Sequence, residues 1–179
     1  MNKVVILLAN GFEEIEALAP LDVLRRLNYD VELVSMNESL EVISSHGVKF
    51  MADTLFNDKL YKSETLIIPG GLPGATNLRS DERVIEIVKK FNEENKLLAA
   101  ICAGPIVLGK AGVLNDKDAT CYPGFEESLN CQNYLLDNVV VSKNVITSRG
   151  PATAFEFAFA IAKYLKLDVE DLEKGMLFK

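Results

Sequence analysis

The sequence predicts a doubly wound α/β fold: one mostly parallel sheet with helices on both faces and a small β-hairpin beside it. Three observations predict it. Short unbroken apolar runs at 3–9, 65–68 and 97–101 have the composition of strands buried on both faces. Stretches with helical spacing lie between such runs, and strands alternating with helices make a parallel sheet covered on both sides. Glycine and proline punctuate the strand ends, at 69–74, 104–105 and 150–151.

In chain order, residues 3–9 form a buried strand and 15–27 a helix with Ile15, Leu18, Leu24 and Leu27 available for a core face. Residues 31–36 alternate like a strand. Residues 40–52 carry short β signals broken by Ser44-Ser45-His46-Gly47, which predicts a hairpin off the main sheet. Residues 65–68 are another buried strand, running into the turn Pro69-Gly70-Gly71-Leu72-Pro73-Gly74. An amphipathic helix over 81–94 has Asp81 and Glu82 in its first turn, and the strand 97–101 and a helix opening at Pro105 follow. Residues 117–121, 139–142 and 145–148 supply further strands. A long helix beginning at Gly150-Pro151 carries Phe155, Phe157, Phe159 and Ile161, and a last helix occupies 168–175. The arrangement is flavodoxin-like. With no linker, repeat or low-complexity tract, 179 residues predict a single domain over 1–179.

Composition narrows the function. The net charge of −7 argues against nucleic acid and anionic membranes as partners, since both need basic patches. The first apolar run is short and is followed by Glu13, Glu14 and Glu16, unlike a secretory leader. No apolar run approaches the ~18 residues of a membrane span. Three cysteines without C-x-x-C spacing fit neither a disulfide scaffold nor a zinc site. The expected compartment is the reducing cytoplasm, with no metal and no cofactor.

In such folds ligands bind outside the carboxyl ends of the strands, so the segments following 3–9, 65–68 and 97–101 should converge. The last of these is Ala100-Ile101-Cys102-Ala103-Gly104-Pro105. Gly104 permits a sharp turn and Pro105 suits the first turn of a helix. Cys102 is thus expected at a strand-to-helix turn like a nucleophile elbow, under a helix N-terminus that eases loss of its proton. The motif alone fits a buried structural cysteine equally well.

Pro20 clashes with the carbonyl four residues earlier, which places Glu16 at the very start of its helix, within reach of the strand ends. Glu13 and Glu14 are more simply helix-start carboxylates. The 69–74 turn offers backbone amides that, with that of Ala103, suit an oxyanion hole. Arg149, in Thr147-Ser148-Arg149-Gly150-Pro151, lies near a further turn, where a surface ion pair is the simpler role. The one histidine, His46, is remote from the elbow in sequence, so a Cys-His dyad is hard to assemble.

With these residues located, the chain resembles the ThiJ/PfpI superfamily, and within it the branch of the parkinsonism-associated protein and bacterial YajL. The likeness runs through Gly11-Phe12-Glu13-Glu14-Ile15-Glu16, Leu21-Asp22-Val23-Leu24-Arg25-Arg26, Pro69-Gly70-Gly71, 99–105 and 147–151. It implies that Cys102 is a reactive, oxidation-sensitive nucleophile. Protonated Glu16 would hydrogen-bond its sulfur, with the amides of Gly71 and Ala103 nearby. It implies a homodimer with the site close to the interface.

The implied activity is that of a cofactor-free, glutathione-independent glyoxalase or deglycase acting on small reactive carbonyls or glycated adducts, with Cys102 as nucleophile and Glu16 as general acid and base. The alternative is an oxidative-stress sensor or chaperone whose Cys102 is oxidised to the sulfinic acid without turnover; an amidase or peptidase fits less well. Five positions depart from relatives. Tyr122 stands where the parkinsonism-associated protein has a histidine, and Tyr122 is a poor general base near neutral pH. His46 stands where relatives carry an arginine facing the partner subunit. Ser44 and Met51 replace hairpin cysteines, and Ala103 replaces the histidine that follows the nucleophile in the peptidase branch.

Overall fold

A computed structural model of the chain describes residues 3–178. Its elements are β1 (Lys3–Leu8), α1 (Glu14–Arg26), β2 (Asp30–Ser35), β3 (Glu41–Ile43), β4 (Lys49–Met51), β5 (Thr54–Leu55), β6 (Thr65–Ile68), α2 (Gly74–Ser80) and α3 (Glu82–Glu93). There follow β7 (Leu97–Ile101), α4 (Pro105–Lys110), β8 (Asp118–Ala119), β9 (Asn133–Tyr134), β10 (Val139–Ser142), β11 (Val145–Ser148), α5 (Ala154–Tyr164) and α6 (Glu170–Gly175).

The main sheet runs β10-β11-β7-β6-β1-β2-β5. Every neighbouring pair is parallel except β10 and β11, which are antiparallel. Alternation along each strand serves both faces. Val4, Ile6 and Leu8 join a core with Ala17 and Val23 of α1 and Phe157 of α5. Val5 and Leu7 face the other way, onto Leu78 of α2, Val88 of α3 and Val107 of α4. The central strands β1, β6 and β7 are nearly continuous apolar runs because both faces are covered. From β1 the chain passes to β2 on one side and later to β6 on the other, so the sheet reverses direction between β1 and β6. At such a reversal the loops beyond the strand ends part and leave a crevice.

The expected hairpin is present as β3 and β4, a separate two-stranded sheet. Three sequence expectations need correcting. Of the run 117–121 only Asp118–Ala119 is strand, and it pairs with β9 in a ribbon of its own, outside the main sheet. The Thr120 N–H instead donates to the Thr147 hydroxyl at 2.9 Å, so the segment lies against β11 through a side chain rather than a backbone ladder. The 69–74 turn leads into a further helix, α2, which buries Ala75 and Leu78 and has no side-chain cap. Packing, not intrinsic propensity, holds so short a helix. Finally, the face α1 buries is Glu16, Ala17, Ala19, Pro20, Val23 and Leu24, while Ile15 is exposed, as is Phe155 of α5.

Candidate active site

The three segments do converge. β7 ends at Ile101 and the chain turns sharply at Cys102, whose φ of +63° lies in the left-handed region. A side chain there is strained by roughly 1–2 kcal/mol and persists only where its surroundings hold it. They do: the Cys102 N–H donates to the Ser148 carbonyl at 2.9 Å, and the Cys102 carbonyl accepts from the Tyr122 N–H at 2.9 Å. The sharp turn expected at Gly104 is thus made by the cysteine itself. Gly104 has ordinary helical angles and is needed for space, since a Cβ there would meet the Ile68 carbonyl at 2.5 Å.

Glu16 stands in the first turn of α1, as Pro20 requires, and is completely buried. Its Oε2 accepts from the Gly70 N–H at 2.8 Å. Its carboxyl also interacts with the neighbouring Cys102 thiol, and Oε1 is buried with no hydrogen-bond partner among the described residues. Backbone N–H groups of Ala103 and Gly71 lie beside the sulfur and favour its anion. Gly70 has no room for a side chain: a Cβ would lie 2.7 Å from Glu16 Oε2 and 2.8 Å from both Ala103 N and Cys102 Cβ.

Burial pushes the Glu16 pKa up to about 8, against smaller lowering by its hydrogen bonds to Cys102 and Gly70, so it is mostly neutral at pH 7. Burial and then the nearby Glu16 also push the Cys102 thiol up, while the Ala103 and Gly71 amides lower it. The expectation that a helix N-terminus alone would acidify this thiol is therefore corrected. Desolvation outweighs the dipole of the six-residue α4. The repulsion from Glu16 exists only while Glu16 is charged, however. A neutral Glu16 becomes a hydrogen-bond donor to the sulfur, and the two groups lose their first proton as a pair.

The structure does not bring every predicted residue to the sulfur. Tyr122 reaches Cys102 through its backbone; its half-exposed ring lies over Gly150. Arg149 lines a cleft of about 310 Å³ with Tyr122, Asn138, Gly150 and Thr153, and its Nη1 donates to the Leu136 carbonyl at 3.5 Å. His46 is an exposed residue paired with Glu14, Nδ1 to Oε2 3.0 Å, and that hydrogen bond holds its imidazolium above the usual range. His46, Glu13 and Glu14 offer donor atoms within 4.8 Å of one another, a grouping that sequence spacing does not reveal. The positive end of α1 beside them opposes a cation, and the His46–Glu14 pair accounts for the grouping. Glu13 is the residue whose importance the sequence reading underrates. It is the N-cap of α1 and accepts from the Glu16 N–H at 2.8 Å. The i, i+3 spacing of two carboxylates at a helix start is its sequence signal.

A strained cysteine at the end of a central strand, facing a buried neutral carboxyl and two backbone amides, defines a cysteine–carboxyl site on a doubly wound α/β sheet. The chain matches the model of the DJ-1/PfpI family over residues 2–164. It belongs to that family. It is 38% identical over 177 residues to Protein dj-1beta of Drosophila melanogaster, covering 96% of this chain and 95% of that one. The crystal structure of that Drosophila protein superposes with a TM-score of 0.92 over 98% of this chain and 97% of the other, at 36% identity. Over 168 residues the chain is 36% identical to the glutathione-independent glyoxalase DJR-1.2 of Caenorhabditis elegans, covering 92% of this chain and 89% of that one. It is 33% identical to the deglycase PH1704 of Pyrococcus horikoshii, covering 92% and 99%. The chain spans about two fifths of the length of two Arabidopsis thaliana relatives, Protein DJ-1 homologs B and A, at 41% and 38% identity over 90% of this chain.

Proposed function

We propose that this protein is a cofactor-free, glutathione-independent enzyme acting on 2-oxoaldehydes such as methylglyoxal, or on their adducts. The observation that carries this is the buried Glu16 carboxyl, raised to about 8, against the Cys102 sulfur. A group titrating near the working pH serves as both acid and base. The Cys102 thiolate attacks the aldehyde carbon, and the developing alkoxide takes the Glu16 proton to give a hemithioacetal. The Glu16 carboxylate then removes the proton on that carbon and returns it to the neighbouring carbonyl carbon through an enediol, leaving a thioester of lactate. Water hydrolyses the thioester, so methylglyoxal plus water becomes lactate, with no external oxidant or reductant. The Gly71 and Ala103 amides stabilise charge at the reacting centre. Relatives named glyoxalase and deglycase support the same substrate class.

The test is lactate formation from methylglyoxal without glutathione, by the native protein and by protein alkylated at Cys102. Turnover that alkylation abolishes is expected. Its absence from native protein overturns the enzymatic reading in favour of the second one, a peroxide sensor. That reading draws on the same geometry, because a neutral Glu16 can donate to a Cys102 sulfinate; oxidation of Cys121 or Cys131 ahead of Cys102 would sink it.

Exposed Ile15, Ile43, Val48 and Met51, on α1 and the hairpin, support a homodimer formed through that face. A monomeric mass in solution overturns it. Three free cysteines support a cytoplasmic location, and strands shared by both cores support one domain. Among the described residues no helix is long and apolar enough to cross a membrane.

A further inference from the structure

We propose that Glu13 is the positioning residue for Glu16, fixing its carboxyl against the sulfur through a closed ring of three hydrogen bonds and, by its charge, adding to the burial that keeps that carboxyl neutral. The inference rests on the acid–base role proposed for Glu16. The ring runs from the Glu16 N–H to Glu13 Oε2 (2.8 Å), from the Gly70 N–H to Glu16 Oε2 (2.8 Å), and from the Glu13 N–H to the Gly70 carbonyl (3.0 Å). Glu13 thus holds both ends of the cradle: its side chain anchors the Glu16 backbone, and its own backbone anchors the loop that grips the Glu16 side chain.

Capping alone does not call for this residue. Asparagine, aspartate, serine and threonine are the preferred N-caps, and burying a carboxylate is costly. Glu13 is nonetheless buried, at 8% exposure. What a glutamate adds over a neutral cap is a negative charge beside Glu16, which disfavours a second one there. The other titratable group facing Glu16 is Cys102, from the turn after β7. Glu13 is itself faced by Glu14 and His46, whose imidazolium offsets part of its charge.

The experiment is the pH dependence of iodoacetamide alkylation at Cys102, followed on the Cys102 peptide by mass spectrometry, for wild type and Glu13→Gln. Glutamine keeps an oxygen that can accept from the Glu16 N–H but removes the charge. With Glu16 easier to ionise, the pair loses its first proton at lower pH, and more of that proton comes from Glu16 rather than from sulfur. The alkylation midpoint is therefore expected to move to lower pH by about half a unit, and the plateau rate to fall about threefold. The melting temperature should stay within a few degrees of wild type. Coincident profiles would reduce Glu13 to a cap and overturn the proposal. Glu13→Asp, whose shorter side chain keeps the charge but loosens the ring, should keep the wild-type midpoint more nearly than Glu13→Gln does; the reverse order also overturns it. Alkylation does not depend on carbonyl turnover, so a protein inactive on methylglyoxal would refute the enzymatic reading and leave this test intact.

Discussion

Cys102→Ala is expected to lose glutathione-independent turnover of methylglyoxal by at least about 10³-fold, measured as lactate formed, while remaining folded. Without sulfur there is no hemithioacetal on the protein, and neither Glu16 nor the Gly71 and Ala103 amides can replace the bond-forming step. Alanine keeps the Cβ, so it sits at the same φ of +63° and bears the same backbone strain. Its melting temperature should therefore lie near that of wild type, which separates loss of chemistry from loss of fold. Cys102→Gly should be equally inactive but more stable by about 1 kcal/mol, because glycine adopts left-handed angles without penalty. That combination would show that the elbow stores strain for function. A Cys102→Ala protein that still turns over would assign the nucleophile elsewhere.

The fold was legible where burial dictates composition. β1, β6 and β7 are covered on both faces, so their apolar runs stand out with nearly correct ends. Legibility failed where tertiary partners decide. Residues 117–121 have the alternation of a strand, but nothing local says whether a strand joins the main sheet or a small ribbon. α2 is hidden because only Ala75 and Leu78 of its residues mark a buried apolar face. The site divides the same way. Cys102 announces itself through Gly104-Pro105, and Glu16 through Pro20 four residues on. The acidity of the thiol does not, since it depends on burial and on a carboxyl brought from 86 residues away by the fold. Nor does the role of His46: its partner, Glu14, lies 32 residues earlier in the chain.

Glu16→Gln should fall in turnover by about 10²–10⁴-fold, because glutamine can accept from the Gly70 N–H and donate to the sulfur but cannot carry a proton between oxygen and carbon. Its effect on stability has the opposite sign and depends on pH. The folded state binds the Glu16 proton with a pKa of about 8, against an ordinary value of 4.5, so folding favours the neutral carboxyl. Stability from this group is complete below about pH 4.5 and is lost as pH rises through 8, because the unfolded state then binds fewer protons than the folded one. Glutamine, neutral throughout, escapes that loss. The variant should therefore melt close to wild type near pH 5 and several degrees above it near pH 9, followed by thermal unfolding across that range. The two readouts test different halves of the assignment. Full turnover by Glu16→Gln removes Glu16 from the chemistry. A melting difference that does not grow with pH would mean that the buried carboxyl is charged in the folded protein, and then the donor to the sulfur, and the acid for the first step, would have to come from another group.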